Sequence, residues 1–261
     1  METVHGSTLV IIPTYDEREN LPWIVDRTLA ATPDDVHVLV ADDDSPDGTG
    51  AIADELALHS PRVHVLHRTE KQGLGPAYLA GFAWAIERGY AAVVEMDADG
   101  SHSPEDLPRL LAGLADADLV LGSRWVPGGR TERWPLRRQW LSRGGNRYVR
   151  IALGIDVRDA TGGFRAFRTA SLQRLDLSGV ASQGYCFQVD LVWQALVAGL
   201  RVAEVPIVFT ERIEGHSKMS SGIVAEALLR VTGWGLARRF AELRSVLVHG
   251  QRLPSVRQHP A

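Results

Sequence analysis

An α/β fold, with a mostly parallel sheet flanked by helices, is what three features of this 261-residue sequence predict. Short apolar runs rich in β-branched residues recur through the first half, helix-like patterns fall between them, and each run ends in polar or Gly/Pro punctuation. The runs are 8–13 (TLVIIP), 37–42 (HVLVAD), 63–66 (VHVL), 92–96 (AVVEM) and 118–122 (DLVLG). Near-continuous hydrophobicity marks them as strands buried on both faces, as in Rossmann-like parallel sheets. Helical patterns occupy about 17–32, 48–59, 74–89 and 104–116, the last opened by Ser103 as N-cap and Pro104 at the first helical position. Ligands of such sheets bind beyond the carboxyl ends of the strands, which is where the acidic residues gather.

After Ser123 the texture changes. A Gly- and Arg-rich connection over 124–147 leads to a helix, then to an irregular stretch, DATGGFRAFR, at 159–168. Residues 186–199 read as a helix, 203–209 (AEVPIVF) as a strand and 217–243 as a long C-terminal helical segment. The expected organisation is one domain over 1–243 and a flexible tail over 244–261.

Hydrophobic residues make up 45% of the chain and charged residues 23%, which excludes a disordered chain, a collagen-like repeat and a disulfide scaffold. The single cysteine, Cys186, has no partner in the chain and reads as structural; with no charged-then-apolar leader, a reducing cytoplasmic setting is expected. No stretch offers the roughly 18 uncharged apolar residues that a membrane span requires. The net charge of −4 conceals two halves, for residues 1–123 carry 7 basic and 22 acidic groups and residues 124–261 carry 21 and 10. An acidic half suits cation chemistry, and a basic half suits phosphates or an anionic lipid surface.

Two acidic motifs stand at strand ends. Asp97 and Asp99 follow AVVEM and offer two hard oxygen ligands to a divalent ion such as Mg²⁺ or Mn²⁺, which completes its shell with water and substrate phosphates. Asp42, Asp43, Asp44 and Asp47, in DDDSPDGTG, could accept hydrogen bonds from a nucleotide's base or ribose, or could simply build a turn. GLGPAYLAG at 73–81 is no dinucleotide loop, because Tyr78 stands at the third glycine position. His102 and His216 read as hydrogen-bonding residues rather than bases. Seven arginines against Glu132 crowd residues 130–150, near Trp134, Trp140 and Tyr148; no nucleic-acid motif accompanies them, so a solvated face or a membrane surface is the better reading.

Taken in order and spacing, PTYDERENLP (13–22), DDDSPDGTG (42–50), KQGLGPAYLAGF (71–82), MDADGSHSPEDLP (96–108), GSRW (122–125), SRGGN (142–146), DATGGFRAFR (159–168), GYCFQ (184–188) and ERIEGHSKM (211–219) resemble the dolichol-phosphate (polyprenol-phosphate) mannose synthase group of family 2 glycosyltransferases. The resemblance covers roughly 8–240. It implies a GT-A fold with a donor half (about 8–123) and an acceptor half (about 124–243), transferring mannose from GDP-mannose to a polyprenyl monophosphate with inversion. By the match, Pro13, Tyr15, Glu17, Ala41 and Asp43 contact the guanosine part, Asp97 and Asp99 hold Mg²⁺ or Mn²⁺, and Ala98 lies against the nucleotide. Arg124, Arg212 and Lys218 hold phosphates of donor or acceptor, and Ser142 and Arg143 lie beside the acceptor phosphate. Some relatives carry a glutamine where Ser101 stands, which leaves the third metal ligand open between Ser101, water and another side chain.

The chemistry fits that assignment. A departing diphosphate accumulates negative charge that a divalent ion with Arg212 and Lys218 would stabilise. A phosphate monoester is largely dianionic at neutral pH, so no general base is expected. Transfer of glucose or N-acetylglucosamine from a UDP-sugar is the nearest alternative, and a catalytically silent nucleotide-sugar-binding module is another. The stretch 223–240 mixes apolar and basic residues in a way that suits either packing on the sheet or a lipid interface. Peripheral attachment to the cytoplasmic face of a membrane, through a separate anchoring protein or directly, is the expectation.

Overall fold

The computed structural model describes residues 6–177, 185–211 and 221–249. Its centre is a sheet of seven strands: β1 (Thr8–Thr14), β2 (Val36–Asp42), β3 (Val63–His67), β4 (Ala92–Glu95), β5 (Leu119–Ser123), and two later ones, β7 (Arg165–Arg168) and β8 (Val202–Pro206). A small parallel pair joins β6 (Arg130–Glu132) to β9 (Val208–Thr210). The order across the large sheet is β3-β2-β1-β4-β7-β5-β8. Neighbours are parallel except β7, which is antiparallel to both β4 and β5.

Alternation along β1 shows how the sheet makes two cores. Leu9 and Ile11 join one apolar layer with Tyr78, Phe82, Phe167 and Phe187; Val10 and Ile12 join the other with Ile24, Val40, Leu107 and Phe164. Both faces are therefore covered, as the unbroken hydrophobicity predicts. The edge strand β3 departs from this, with only Val63 buried and His67 exposed.

The helices are α1 (Leu21–Ala31), α2 (Thr49–His59), α3 (Leu74–Glu87), α4 (Leu107–Gly113), α5 (Leu136–Leu153), α6 (Thr169–Leu172), α7 (Tyr185–Val197) and α8 (Ser221–His249). Several boundaries correct the sequence reading. The first helix begins at Leu21 rather than near 17, because the Glu17 carbonyl closes a turn onto the N–H groups of Asn20 and Leu21. The segment expected as one helix over 104–116 is a 3₁₀ turn, Pro104–Asp106, followed by α4. Its Ser103 hydroxyl binds the Glu105 carboxylate instead of capping a backbone N–H.

The second half of the basic stretch expected as a connection belongs to α5, an 18-residue helix anchored by buried Asn146, Val149 and Leu153 at helical spacing. The irregular 159–168 stretch ends in β7, and 203–209 is not one strand, since Pro206 has no N–H and Ile207 turns to bond the Ser123 carbonyl. The last helix continues through His249, so residues 244–249 are helical rather than tail; 250–261 lie outside the described residues.

Candidate active site

The carboxyl ends of β1, β2 and β4 form one edge. Pro13 pairs in register with Ala41, and Thr14 with Asp42, so the first two motifs emerge side by side. Three carboxylates of the DDDSPDGTG motif hold backbone in place. Asp42 accepts bonds from the Thr14 hydroxyl (2.9 Å) and from the Ser45 hydroxyl and N–H (2.6 and 3.1 Å). Asp43 pairs with Arg68 and accepts the N–H groups of Gln72 and Gly73, each at 3.2 Å. Asp47 accepts the hydroxyl and N–H of Thr49 and the N–H of Arg18; burial opposes its ionisation, but these bonds win and its pKa is lowered.

Tyr15 and Glu17 lie on the same edge. Lys71 Nζ stands 3.4 Å from the centroid of the Tyr15 ring, and Glu17 accepts a bond from Asn20 Nδ2 at 2.9 Å. Lys71 was legible only as part of a motif; its place on Tyr15 brings the one lysine of the acidic half to this edge.

Asp97, Ala98 and Asp99 follow β4 directly. Asp97 accepts the Tyr78 hydroxyl at 3.3 Å and keeps partial exposure, whereas Asp99 is buried and accepts the Ser101 N–H at 3.0 Å. Gly100 turns the chain between Asp99 and Ser101 with φ +74°, a conformation that favours glycine. The Ser101 hydroxyl is buried beside Asp99 without a hydrogen-bond partner. His102 is committed to structure: its Nδ1 faces the Asp97 N–H at 3.2 Å, and its ring stacks on Phe164 with Phe209 edge-on.

This donor set fits a hard divalent ion. Asp97 and Asp99 offer carboxylate oxygens, and the orphaned Ser101 hydroxyl is a neutral oxygen at the same turn. Among the described residues no group of three His, Cys, Asp or Glu side chains is placed to hold a metal ion.

Beneath the pair lies a buried layer that sequence reading did not single out. Glu95 is fully buried; burial raises its pKa to about 7, partly offset by Arg165, whose Nε lies 3.9 Å from Glu95 Oε2. Arg165 is itself pushed down to about 10 by burial, against the pull of Glu95 and Asp159. It donates to the carbonyls of Ala160, Gly162 and Gln188, tying the 159–168 stretch to α7. Tyr78 is held well above its ordinary pKa by burial and by the anions Asp97 and Glu95, and so remains a hydrogen-bond donor.

Beyond Phe209 the chemistry becomes basic. Arg124, expected to hold a phosphate, forks onto Asp159 inside the protein, with Nε–Oδ2 at 2.7 Å and Nη2–Oδ1 at 2.6 Å. Both groups are buried, and Asn146 and Thr161 complete the network. Burial would raise the pKa of Asp159, but the Arg124 charge and hydrogen bonds outweigh it and the net shift is downward. Arg143 does face outward, with its guanidinium 4.5 Å from the centroid of the Trp125 ring. Together with Arg147, Arg150 and Arg158 it lines an open groove of about 660 Å³. Arg150 binds Asp156 at 2.5 Å yet keeps a buried Nε without a partner. Ser142, expected beside the same phosphate, is half-buried one residue before Arg143, and its carbonyl accepts Asn146 Nδ2. Arg212 and Lys218, and His216 with them, lie outside the described residues.

Comparison with known proteins gives the chain its relatives. The Glycosyl transferase family 2 model matches residues 9–176. The chain is 58% identical over 242 residues to the polyprenol monophosphomannose synthase of Mycolicibacterium smegmatis, covering 92% of this chain and 91% of that protein. It is 55% identical over 239 residues to the undecaprenyl-phosphate mannosyltransferase of Micrococcus luteus, covering 92% and 98%. Among solved structures it is similar in fold to glucosyl-3-phosphoglycerate synthase from Mycobacterium tuberculosis in complex with Mn²⁺, UDP-glucose and phosphoglyceric acid, at TM-score 0.62 and 20% identity over 90% of this chain and 80% of that one.

Proposed function

The chain belongs to glycosyl transferase family 2, with the GT-A fold, and from that premise we propose that it transfers mannose from GDP-mannose to the phosphate of a polyprenyl monophosphate. The observation that carries the reading is the pairing of a carboxylate edge at β4 with an arginine-lined groove bordered by Trp125. Two relatives at 55–58% identity bear names for this class of transfer, and the order of the motifs supports the guanosine donor.

In this reading Asp97 and Asp99, with Ser101 beside them, hold Mg²⁺ or Mn²⁺. When bound, the ion supplies positive charge to the donor's diphosphate and lowers the cost of its departure. Pro13, Tyr15, Glu17, Ala41 and Asp43 line the base and ribose end, with Ala98 against the nucleotide. Asp43 acts there through the 72–73 loop that it fixes as much as through its own oxygens. Arg143, with Ser142 and the groove arginines, holds the acceptor phosphate; Arg124 acts from behind, fixing Asp159, which in turn accepts Asn146 of α5. Arg212 and Lys218 are proposed to complete the phosphate clamp.

An acceptor phosphate oxygen attacks the anomeric carbon from the face opposite the diphosphate. The new C–O bond forms as the sugar–diphosphate bond breaks, its electron pair leaves with GDP, and the configuration inverts. The nucleophile is already an anion, so no side chain has to remove a proton. Among the described residues no helix is long and apolar enough to cross a membrane, and we propose that the protein meets its lipid from the cytoplasmic face, directly or beside a membrane-anchoring protein.

Incubation with labelled GDP-mannose, UDP-glucose or UDP-N-acetylglucosamine, a divalent ion and a short polyprenyl phosphate tests the reading. Mannolipid from GDP-mannose alone is the expected result. Preference for a UDP-sugar, which the UDP-bound structural relatives would favour, overturns the donor; nucleotide binding without any glycolipid overturns the activity.

A further inference from the structure

A tyrosine placed in the middle of a helix that presses on a sheet must find a partner for its hydroxyl once the ring is buried. Tyr78 of α3 is fully buried. Two turns of the helix put it there, for Gly75, Tyr78, Gly81 and Phe82 share the buried face. At Gly81 the helix approaches β1 so closely that a Cβ would come within 2.7 Å of Ile11 Cγ2; a Cβ at Gly75 would come within 3.0 Å of Phe187 Cδ2. The Tyr78 ring stacks against Phe82 and Phe187, each with centroids 6.3 Å apart and with interplanar angles of 22° and 7°. Close helix–strand contact and two stacked rings thus fix the ring, and with it the direction in which the hydroxyl points.

That hydroxyl ends at Asp97. It donates to Oδ1 at 3.3 Å, although the Asp97 side chain keeps 26% of its surface exposed. The main chain of the same residue is held separately, because its N–H donates to His102 Nδ1 at 3.2 Å. A carboxylate that turns freely loses that freedom when it binds an ion, and the loss weakens binding. A donor already holding one oxygen removes part of the penalty beforehand.

The kind of donor matters as well. Lysine or arginine could hold Oδ1 equally well, but its positive charge would repel a cation. A tyrosine hydroxyl is neutral, and burial together with the anions Asp97 and Glu95 keeps it protonated.

We propose that Tyr78 is a positioning residue for the divalent ion, its hydroxyl setting the orientation of the Asp97 carboxylate before the ion arrives. The inference rests on the metal reading of Asp97 and Asp99 and deepens it by assigning the residue that prepares one of them. It also gives three distant sequence blocks a common purpose: 71–82 supplies the hydroxyl, 96–108 the carboxylate and 184–188 the Phe187 ring.

Tyr78→Phe in the full chain is the test, since it keeps the ring and its stacking partners and removes only the hydroxyl. Mn²⁺ binding is titrated through loss of the free-ion electron paramagnetic resonance signal, with and without GDP, and GDP binding is measured calorimetrically in metal-free buffer. The variant should bind Mn²⁺ at least about ten-fold more weakly than wild type, the loss usual when a hydrogen-bond partner of a metal ligand is removed. Transfer should fall at limiting Mn²⁺ and return to within about three-fold of wild type at saturating Mn²⁺, a shift in metal dependence that a packing role would not produce. Mn²⁺ affinity equal to wild type overturns the proposal. So does a loss of Mn²⁺ affinity matched by an equal loss of metal-free GDP affinity, which marks a disturbed edge rather than a misdirected carboxylate. Wild-type protein that takes up no Mn²⁺, with or without GDP, overturns the metal role of Asp97 and Asp99 and this inference with it.

Discussion

Asp97 and Asp99 show what a single residue can reveal from sequence and what it cannot. A DAD tripeptide directly after an apolar strand places carboxylates at a sheet edge by geometry alone. The partners of Arg124 were beyond that logic, since Asp159 lies 35 residues away and nothing local marks the two as a pair. Two expectations belong at this scale. Asp99→Asn can still accept the Ser101 N–H but loses its charge; transfer should fall by at least about 100-fold, while circular dichroism and thermal midpoint stay near wild type. Normal turnover in that variant would remove the metal role. Arg124→Leu strands a buried carboxylate, so urea unfolding should show a loss of roughly 3–5 kcal/mol. Replacing Asp159 by Leu in the same chain should restore part of it.

Among the elements, the strands and first helices could be read because hydrophobic runs and turn residues mark them locally. Helix α5 could not, because Gly144 and Gly145 sit mid-helix where glycine costs about 1 kcal/mol each relative to alanine. Its cohesion comes from Asn146, Val149 and Leu153 packing inward, which is tertiary information. β7 was hidden for another reason: four residues with arginine at both ends look solvent-facing, yet Arg165 is buried against three carbonyls. The contact between α5 and α8 depends on a missing side chain at Gly235. Gly235→Val should therefore loosen α8 from the domain. Hydrogen exchange is expected to rise across 227–240 while the amides of β1, β2 and β4 stay protected; unchanged exchange in α8 would show that the close approach does not matter.

At the scale of the whole molecule, stability should carry a pH signature from the face opposite the acidic edge. His37 Nδ1 lies 2.8 Å from the Tyr90 hydroxyl and 3.3 Å from His64 Nε2. His37 is pushed below its ordinary pKa by burial and by Arg62, against Asp35, and His64 by burial, by His37 and by Arg88. The unfolded chain therefore takes up protons from about pH 6.5 downward before the folded chain does, and stability falls from there until the folded values are reached. Glu95, with a folded pKa of about 7 above its unfolded value, gains stability over the same range and opposes the histidines. The histidine share is read as a difference: between about pH 7.5 and 5.5 the thermal midpoint of His37→Phe/His64→Phe should change more favourably than that of the wild type, and an identical pH dependence would remove it.

The division of charge at Ser123 was legible in composition, but it is not a division of folding. β5 ends the acidic half, yet both its neighbours, β7 and β8, come from the basic half. A nascent chain leaving the ribosome therefore carries β5 with neither edge satisfied until residues 165–168 have been synthesised, and with one edge open until 202–206 follow. During that interval the acidic segment depends on a chaperone or on its own charge repulsion to avoid aggregation. A gene cut after Ser123 should yield insoluble product, however complete its nucleotide motifs look.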